Sequence, residues 1–285
     1  MPATFALEGF KPLVSAAFCC VVGSPIAHSR SPLIHRLFAE QFNLKLQYEK
    51  FEVQPGTLQA ALAQLRQVGC LGVNVTVPLK EEAQSLAWTP TSRSKLAQAA
   101  NTLWWDDDYR LYADNTDGVG LVADLVATQT LELRGSRILL LGAGGAAAGA
   151  IPALLDAGPR SLVVVNRNPT RAQALVRRFS TTTRIHDCPA QAPFTEPFDL
   201  IVNATSASIA GLAPEVGAGA IGPNSVCYDL YYSREETAFL RWARERGARV
   251  CRDGLGMLIE QAAAAFFRWH GCMPDTRSVF SALKK

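Results

Sequence analysis

The sequence predicts an α/β fold in two domains, each built on a mostly parallel sheet. Short apolar strand candidates alternate with helical patterns along most of the chain, which is the order that produces parallel sheets. One strand candidate, 137–141, is almost wholly apolar and runs directly into the glycine-rich turn 142–147, as in Rossmann-like domains. With 285 residues, of which 48% are apolar, the chain has enough material for two modest cores.

Composition and charge narrow the function classes. The net charge of +3 is small and no basic run carries interleaved aromatics, so no nucleic-acid partner is expected. The seven cysteines form no C-x-x-C pair and have no histidines at metal-ligand spacing, which predicts reduced thiols in a cytoplasmic chain and no metal. The apolar run 13–23 is interpreted as a buried strand rather than a signal peptide, because the structured motif SPIAHSRSP follows at once. No membrane span is predicted elsewhere.

The first domain begins with a β-α-β-α series. After the strand at 13–23, Ser31 is a natural N-cap with Pro32 at the first helical position, and apolar residues then recur at helical spacing. The segment LQYEKFEV at 46–53 predicts the second strand. A helical face from 58 to 68 predicts the second helix.

The segment NVTVPLKEE at 74–82 places a lysine at a strand-to-helix junction. A β-branched run ends at Pro78, which is predicted at the first helical position, so that Lys80 lies in a first turn. The positive end of the helix dipole disfavours an ammonium there, so Lys80 could exchange protons near neutral pH. A solvated Lys-Glu-Glu at a helix start is the alternative, and this segment alone favours it.

The next four predicted elements are a helix at 96–100, a strand at 101–105, a strand at 110–112 and a helix at 119–127. Asp117 is a plausible cap for the last helix. The domain boundary is placed here, with 1–116 and 253–285 forming the first domain and 117–252 the second.

In the second domain the G-x-G-x-x-A turn predicts a nucleotide site. Gly142 permits the tight turn, Gly144 lets the backbone approach a pyrophosphate, and Ala147 allows close packing of helix on strand. The helix is expected to run to Ala157, with Pro152 kinking or shortening it. Further strands and helices are predicted, and a last, broadly apolar helix from 253 to 271 is expected to return to the first domain.

Residues 166–171, at the end of the second predicted strand of this domain, favour binding of NADP over NAD. An NAD site usually has an acidic residue there, but this chain has Asn166-Arg167-Asn168, with Arg171 one turn further on. No carboxylate is present to repel a phosphate, and two guanidinium groups can bind a 2′-phosphate through charge-assisted hydrogen bonds. Solvated surface arginines are the alternative.

Polar residues at other element ends are candidates of weaker individual weight. Ser29 and Ser31 offer two hydroxyls at a helix start, which could hold a carboxylate or a phosphate, although an N-cap alone explains Ser31. Taken one at a time, Asn101, Asp117 and Gln261 are better explained by a structural role than by a functional one.

Taken together, the motifs resemble the shikimate dehydrogenase family. They are SPIAHSRSP at 24–32, NVTVPLKEEA at 74–83, AANTLW at 99–104, DNTDGVGL at 114–121, LLGAGGAA at 140–147, NRNPTRA at 166–172, NATS at 203–206, YDLYY at 228–232 and DGLGML at 253–258. The resemblance implies a substrate-binding domain, an inserted NADP domain, and reversible reduction of 3-dehydroshikimate to shikimate by NADPH in chorismate and aromatic amino acid biosynthesis.

The resemblance also implies a role for individual residues. Lys80 and Asp117 would be the catalytic pair. Substrate would be bound by Ser29, Ser31, Asn74, Thr76, Asn101, Tyr232 and Gln261. NADP would be bound by Gly142, Ala143, Gly144, Gly145, Ala146, Asn166, Arg167, Arg171, Thr205, Gly254 and Met257. The chain departs from the family after NATS, where Ala207-Ser208 replaces the usual glycine in a loop that borders the nicotinamide site.

Other functions remain open at this point. A quinate/shikimate or aminoshikimate dehydrogenase would share nearly every motif. A non-catalytic NADP-binding regulator would be expected to lack Lys80 or Asp117, and both are present. A generic nucleotide-binding module would not explain the motifs of the first domain. The expected partner is a small-molecule substrate, with no nucleic acid and no membrane, and a homodimer is one of the assemblies left open.

Overall fold

The computed structural model describes residues 7, 10–13, 16–128, 131–179 and 183–284. It divides into two compact units, of which the first comprises Met1–Thr116 and Ile259–Lys285 and the second Asp117–Leu258. The chain returns to the first unit at Ile259, whereas the sequence analysis predicted this return at residue 253.

The first unit is built on a six-stranded sheet. Its strands are β1 Ala17–Gly23, β2 Leu46–Glu52, β3 Cys70–Val75, β4 Thr89–Pro90, β5 Thr102–Trp105 and β6 Leu111–Asp114. Their order is β2-β1-β3-β5-β6-β4. β1 pairs in parallel with β2 and β3, whereas β5 runs antiparallel to β3 and β6. The two strands predicted at 101–105 and 110–112 are therefore confirmed as the paired β5 and β6.

In the first unit α2 begins at Leu58 as predicted, whereas the other helices begin later or earlier than the sequence predicts. They are α1 Ser31–Gln41, α2 Leu58–Gln67, α3 Lys80–Leu86 and α4 Ser92–Ala97. Arg30 occupies the cap of α1 and Ser31 is already helical, so the assignment of Ser31 as N-cap is wrong. The helix predicted at 96–100 is also misplaced, because the Thr91 hydroxyl accepts the Ser94 amide and starts α4 at Ser92.

The helix that carries Lys80 starts after Pro78 rather than at it. The Leu79 amide donates to the Thr76 carbonyl at 3.0 Å, which closes a turn that contains Pro78. Lys80 is the first residue of α3, so its predicted place in a first helical turn is confirmed. Two glutamates follow it in the same turn.

The predicted last helix is present and packs on the first sheet. It runs as α9 over Leu255–His270 and is followed by α10, Thr276–Leu283, which the sequence did not predict. The Trp269 indole donates to the Leu103 carbonyl at 3.2 Å and covers Gly72, where an added Cβ would lie only 2.2 Å from the ring. The apolar face of α9 is thus covered by the sheet of the first unit, as expected.

The second unit has the strand order of a Rossmann fold. Its strands are β7 Arg137–Leu141, β8 Ser161–Val165, β9 Ile185–Cys188, β10 Leu200–Asn203, β11 Val226–Asp229 and β12 Val250–Arg252. All neighbours pair in parallel, in the order β12-β11-β10-β7-β8-β9. The strand order reverses between β7 and β10, and ligands bind open α/β sheets outside the carboxyl ends of the strands at such a point. The two edge strands, β9 and β12, are short and were not predicted.

Helices connect the strands of the second unit. They are α5 Asp117–Ala127, α6 Gly145–Asp156, α7 Pro169–Arg177 and α8 Ala238–Glu245. Asp117 is the first residue of α5, which begins two residues before the predicted start at 119, so the prediction of Asp117 as its cap is wrong. Pro152 does not shorten α6, because the removal of one amide donor is offset by the burial of Ile151 and Leu154 beside it. None of the described helices has the length and apolarity that a membrane span requires.

Candidate active site

A buried cluster of amides and hydroxyls lies at the start of β5 in the first sheet. The Asn101 side-chain nitrogen donates to the Gln261 side-chain oxygen at 3.1 Å and to the Thr116 hydroxyl at 3.0 Å. The Asn101 side-chain oxygen accepts the Thr116 amide at 2.9 Å and the Thr102 hydroxyl at 2.9 Å. The structure therefore brings together Asn101 and Gln261, two of the predicted substrate residues, although 160 positions separate them.

Asn74 is braced by Tyr48 next to this cluster. Its oxygen accepts the Tyr48 hydroxyl at 2.7 Å, and its nitrogen donates to the Asn101 carbonyl at 3.1 Å. Burial, and then the nearby cysteine thiols, raise the pKa of Tyr48 well above its usual value, so the phenol stays a donor at neutral pH. The Tyr48 ring stacks on His35 at 4.2 Å between centroids, and burial lowers the pKa of His35 to about 3. A neutral aromatic pair thus fixes the orientation of Asn74.

Lys80 and Thr76 lie on either side of the turn that leaves β3. The Lys80 carbonyl accepts the Ala100 amide at 2.8 Å, which ties the first turn of α3 to the residue before Asn101. Thr76 follows the end of β3 and its methyl group packs against Gly23. Both side chains are partly exposed, so both can be reached by a small ligand.

Ser29 and Ser31 form one local unit at the start of α1. The Ser31 amide donates to the Ser29 hydroxyl, and the two hydroxyl oxygens lie 3.3 Å apart. Ser29, which a simple N-cap left unexplained, therefore satisfies an amide of the first helical turn. No acidic residue occupies that turn, so an anion would meet no like charge within it.

Asp117 begins α5 and is almost fully buried. It directly follows Thr116, whose backbone and hydroxyl are bonded to Asn101. Asp114, three residues earlier, is also buried. Its carboxylate accepts hydrogen bonds from Arg93 Nε at 2.7 Å and from the Thr91 hydroxyl at 2.7 Å. Burial would raise the pKa of Asp114, but these hydrogen bonds and the Arg93 charge hold it below its usual value.

This pairing predicts acid-sensitive stability. Because the folded pKa of Asp114 is depressed, its contribution is present above the unfolded pKa and is lost as pH falls through the folded value. We expect Asp114→Asn to lower the free energy of unfolding by about 1–2 kcal/mol at pH 7, with the difference shrinking in acid. Urea unfolding at neutral and acid pH measures it. Asp108→Asn, which disrupts only an exposed pair with Arg110, is the control and should change little. A deficit independent of pH would contradict this assignment.

The glycine turn of the second unit lies at the point where the strand order reverses. Gly142 has φ +113°, and an added Cβ there would lie 2.9 Å from the Ala204 carbonyl oxygen, so this residue must be glycine. At Gly144 the space a Cβ would enter is open, with no heavy atom within 4 Å. Gly145 begins α6 and Ala147 is fully buried. The predicted tight turn and open approach are therefore present, and the burial of Ala147 is compatible with the predicted close packing.

Asn166, Arg167 and Arg171 follow β8 at the same edge of the second sheet. The Asn166 side chain donates to the Asn168 carbonyl at 2.9 Å, and Asn168 caps α7 by accepting the Thr170 amide. Arg167 and Arg171 are exposed, and within the described part of the chain neither is assigned an ion pair. Two guanidinium groups at a strand end suit a phosphate monoester.

Asn203 organises the segment NATS at the end of β10. Its oxygen accepts the Thr205 amide at 3.1 Å and the Thr205 hydroxyl at 2.7 Å. Its nitrogen donates to the Asp229 carboxylate and the Ser208 hydroxyl, each at 3.1 Å. Asn203 was not among the predicted site residues, although an asparagine at a strand end next to a ligand edge was the available signal.

Gly254 and Met257 lie where β12 leads into α9. A Cβ on Gly254 would lie 2.2 Å from the Leu230 carbonyl oxygen, so the backbone passes close to the end of β11. The Met257 amide donates to the Tyr228 hydroxyl at 3.1 Å, and that hydroxyl donates to Asp124 at 2.7 Å. Tyr232, three residues after β11, is partly exposed and lies in this second unit. Tyr228 and Asp124 are further residues that sequence reasoning missed.

Ionisable side chains elsewhere give no metal centre among the residues that the structure describes. The seven cysteines are free thiols. Burial raises the pKa of Cys19, Cys20 and Cys227, which keeps these thiols protonated.

A Rossmann-type unit with a glycine turn and an exposed arginine pair, carried by the same chain as a polar cluster and a first-turn lysine, defines a dinucleotide-dependent oxidoreductase. Family models agree with this class. Residues 21–103 match the shikimate dehydrogenase substrate binding domain, 124–215 match shikimate/quinate 5-dehydrogenase, and 254–283 match the shikimate 5′-dehydrogenase C-terminal domain.

Individual relatives cover almost the whole chain. The shikimate dehydrogenase (NADP(+)) of Hahella chejuensis is 45% identical over 93% of this chain and 97% of that protein. The crystal structure of an Ael1 enzyme from Pseudomonas putida superposes with a TM-score of 0.88 at 42% identity, covering 95% and 99% of the two chains. Shikimate 5-dehydrogenase from Thermus thermophilus, in complex with NADP(H) and shikimate, gives 0.83 at 33% identity, covering 93% and 98%. The chain belongs to the shikimate dehydrogenase family, as its motifs predicted.

Proposed function

We propose that this chain is an NADP-dependent oxidoreductase that catalyses the reversible reduction of 3-dehydroshikimate to shikimate. One observation carries the proposal: Asn101, Gln261 and Thr116 form a buried polar cluster that is tied through Ala100 to the helix start at Lys80. Amides and hydroxyls both donate and accept, as a ring with several hydroxyl groups requires. We assign the exchange of a proton with an oxygen of that ring to the Lys80 side chain.

The proton transfer is assigned to Lys80. When bound, NADPH supplies the hydride that the ketone carbon accepts. Lys80, as an ammonium, donates a proton from Nζ to the carbonyl oxygen, and its charge stabilises the alkoxide that develops there. In the reverse direction the neutral lysine accepts the proton. Asp117 is proposed as the acidic partner of Lys80. This agrees with the family resemblance and with the position of Asp117 directly after Thr116, a member of the polar cluster.

Substrate recognition is assigned to hydroxyls and amides that suit a polar ring with a carboxylate. The hydroxyls of Ser29 and Ser31, at the positive end of α1, are proposed to hold the carboxylate, with Tyr232 as a further donor. Thr76, Asn101 and Gln261 are proposed to bind ring hydroxyls. Asn74 already donates to the Asn101 carbonyl and accepts from Tyr48, so we propose that it acts chiefly by holding this cluster in place.

The second unit fits NADP. The open space at Gly144 leaves room for a pyrophosphate against the backbone of Gly142–Ala146, at the N-terminus of α6. Asn166, Arg167 and Arg171 would hold the adenosine 2′-phosphate. Thr205, Gly254 and Met257 are proposed to line the nicotinamide side, because they follow the carboxyl ends of β10 and β12.

A panel assay tests this function against its nearest alternatives. Purified chain is supplied with shikimate or quinate, each with NADP or NAD, and formation of the reduced cofactor is followed by absorbance. We expect the highest kcat/KM with shikimate and NADP. A higher kcat/KM with quinate would identify the quinate/shikimate paralogue. Absence of turnover together with tight NADP binding would favour the non-catalytic regulator.

The free cysteines support a cytoplasmic location for this reaction.

A further inference from the structure

The loop that follows β10, residues 204–212, contains a buried serine where the family usually has a glycine. Ser208 is only 7% exposed and begins a short 3-10 turn, Ser208–Ala210. Buried hydroxyls need a hydrogen-bond partner, because an unsatisfied polar group is destabilising in a protein interior. The hydrogen-bond partners of Ser208 therefore indicate what this serine contributes to the loop.

Ser208 joins the loop to two neighbouring strands. Its hydroxyl donates to the Asp229 carboxylate at 2.5 Å and accepts from the Asn203 side chain at 3.1 Å. Asp229, at the end of β11, is fully buried and also accepts the Thr237 hydroxyl at 2.7 Å and the Tyr231 amide at 3.1 Å. Hydrogen bonds to a carboxylate are stronger than those between neutral groups, so the bond from Ser208 is a firm attachment.

The middle of this loop is closed on itself by backbone hydrogen bonds, in which the amides of Ala210 and Leu212 both donate to the Ala207 carbonyl at 2.9 Å, and it has little apolar packing. Ile209 and Leu212 expose 64% and 63% of their surface, so apolar packing contributes little there. In the first part of the loop the Thr205 amide and hydroxyl donate to the Asn203 side-chain oxygen, and the Thr205 hydroxyl accepts the Ala207 amide. Among the described residues of the loop beyond Ala207, Ser208 is the one whose side chain is hydrogen-bonded to the ends of the strands.

The loop lies at the dinucleotide edge of the second unit. It starts at Ala204, whose carbonyl oxygen would be 2.9 Å from a Cβ on Gly142. It therefore borders the glycine turn at the strand-order reversal between β7 and β10, where a dinucleotide binds. A loop fixed in one conformation before binding loses less conformational entropy when the ligand arrives.

We propose that Ser208 is a positioning residue, which fixes the loop 204–212 through Asp229 in the form that receives NADP and so strengthens cofactor binding. This inference rests on the proposed function of the second unit. It concerns the affinity for NADP and not the proton transfer at Lys80.

Binding and hydrogen exchange test the proposal without turnover. Ser208→Ala removes the hydroxyl, and Ser208→Gly restores the residue that the family usually has. For both variants we expect the NADP Kd from calorimetric titration to rise about three- to tenfold, the range given by one hydrogen bond. We also expect faster amide exchange in a peptide spanning 204–212. An unchanged Kd, or unchanged exchange in that peptide, would overturn the proposal.

Two control variants separate positioning from general destabilisation. Ser206→Ala removes an exposed hydroxyl of the same loop and should leave Kd and exchange at wild-type values. Thr237→Val removes another donor to the same Asp229 oxygen but lies at the cap of α8, so it should lower Tm with little change in Kd. Equal weakening of NADP binding by Thr237→Val and Ser208→Ala would overturn the proposal. If the wild type binds NADP but does not oxidise shikimate, the proposed activity fails and this inference about binding is still decided by its own titration.

Discussion

Lys80→Ala is expected to lower kcat for shikimate oxidation by about 100-fold or more, the usual contribution of a positioned acid or base. Lys80 is the first residue of α3, and its carbonyl is bonded to Ala100, next to Asn101. The variant therefore removes the ammonium and leaves the surrounding backbone bond in place. The affinity for NADP should stay near the wild-type value, because the cofactor residues belong to the other unit. Steady-state kinetics and an NADP titration measure both quantities.

Two further variants make the Lys80 result specific. Lys80→Arg keeps a positive charge but cannot give up its proton at neutral pH, so it should also be strongly impaired. Lys95→Ala removes an exposed lysine of the same unit and should behave as wild type. Unchanged turnover in Lys80→Ala would exclude Lys80 as the proton donor. Full activity in Lys80→Arg would mean that charge alone, without proton transfer, is sufficient.

Replacing both Arg167 and Arg171 with alanine is expected to lower kcat/KM for NADP by roughly 100-fold. Each guanidinium is exposed, and each could form a charge-assisted hydrogen bond with the 2′-phosphate, worth about 1.5–3 kcal/mol. NAD lacks that phosphate, so its kcat/KM should change little and the preference between the cofactors should be reduced or lost. Initial rates with each cofactor at subsaturating concentration measure the effect.

Arg177 provides the matched control for the pair Arg167 and Arg171. It is an exposed arginine in the last turn of α7, at the opposite end of the helix from Arg171. Arg177→Ala should leave kcat/KM for both cofactors at wild-type values. An equal loss with NADP and NAD in the double variant would contradict a phosphate-specific role and indicate a general effect on the fold of α7.

Most of the strand and helix order was predictable from the sequence because periodicity is a local property, although β9, β12 and α10 were not predicted. The buried strand 137–141 and its glycine turn have the predicted places. Helix starts were less predictable, since they depend on which hydroxyl captures a free amide. Thr91 caps α4, which therefore begins earlier than predicted, whereas Ser31 lies inside α1 and donates its own amide to the Ser29 hydroxyl.

Partners that lie far apart in the chain could not be read from the sequence. The motifs placed Asn101 and Gln261 at element ends, but their hydrogen bond depends on α9 packing back on the first sheet. Tyr48, which orients Asn74, lies in a strand whose pattern gives no functional signal. The departure at Ser208 was visible, yet its consequence depends on the buried carboxylate of Asp229, 21 positions away.

The most direct test of the central claim is the rate at which purified wild-type chain reduces NADP when shikimate is added, measured beside Lys80→Ala. The assignment of this chain as a shikimate dehydrogenase with Lys80 as its proton-transfer group predicts rapid formation of NADPH by the wild type. It predicts a rate lower by about 100-fold or more in the variant. Equal rates in the two proteins, or no NADPH formation by a wild type that binds NADP, would contradict it.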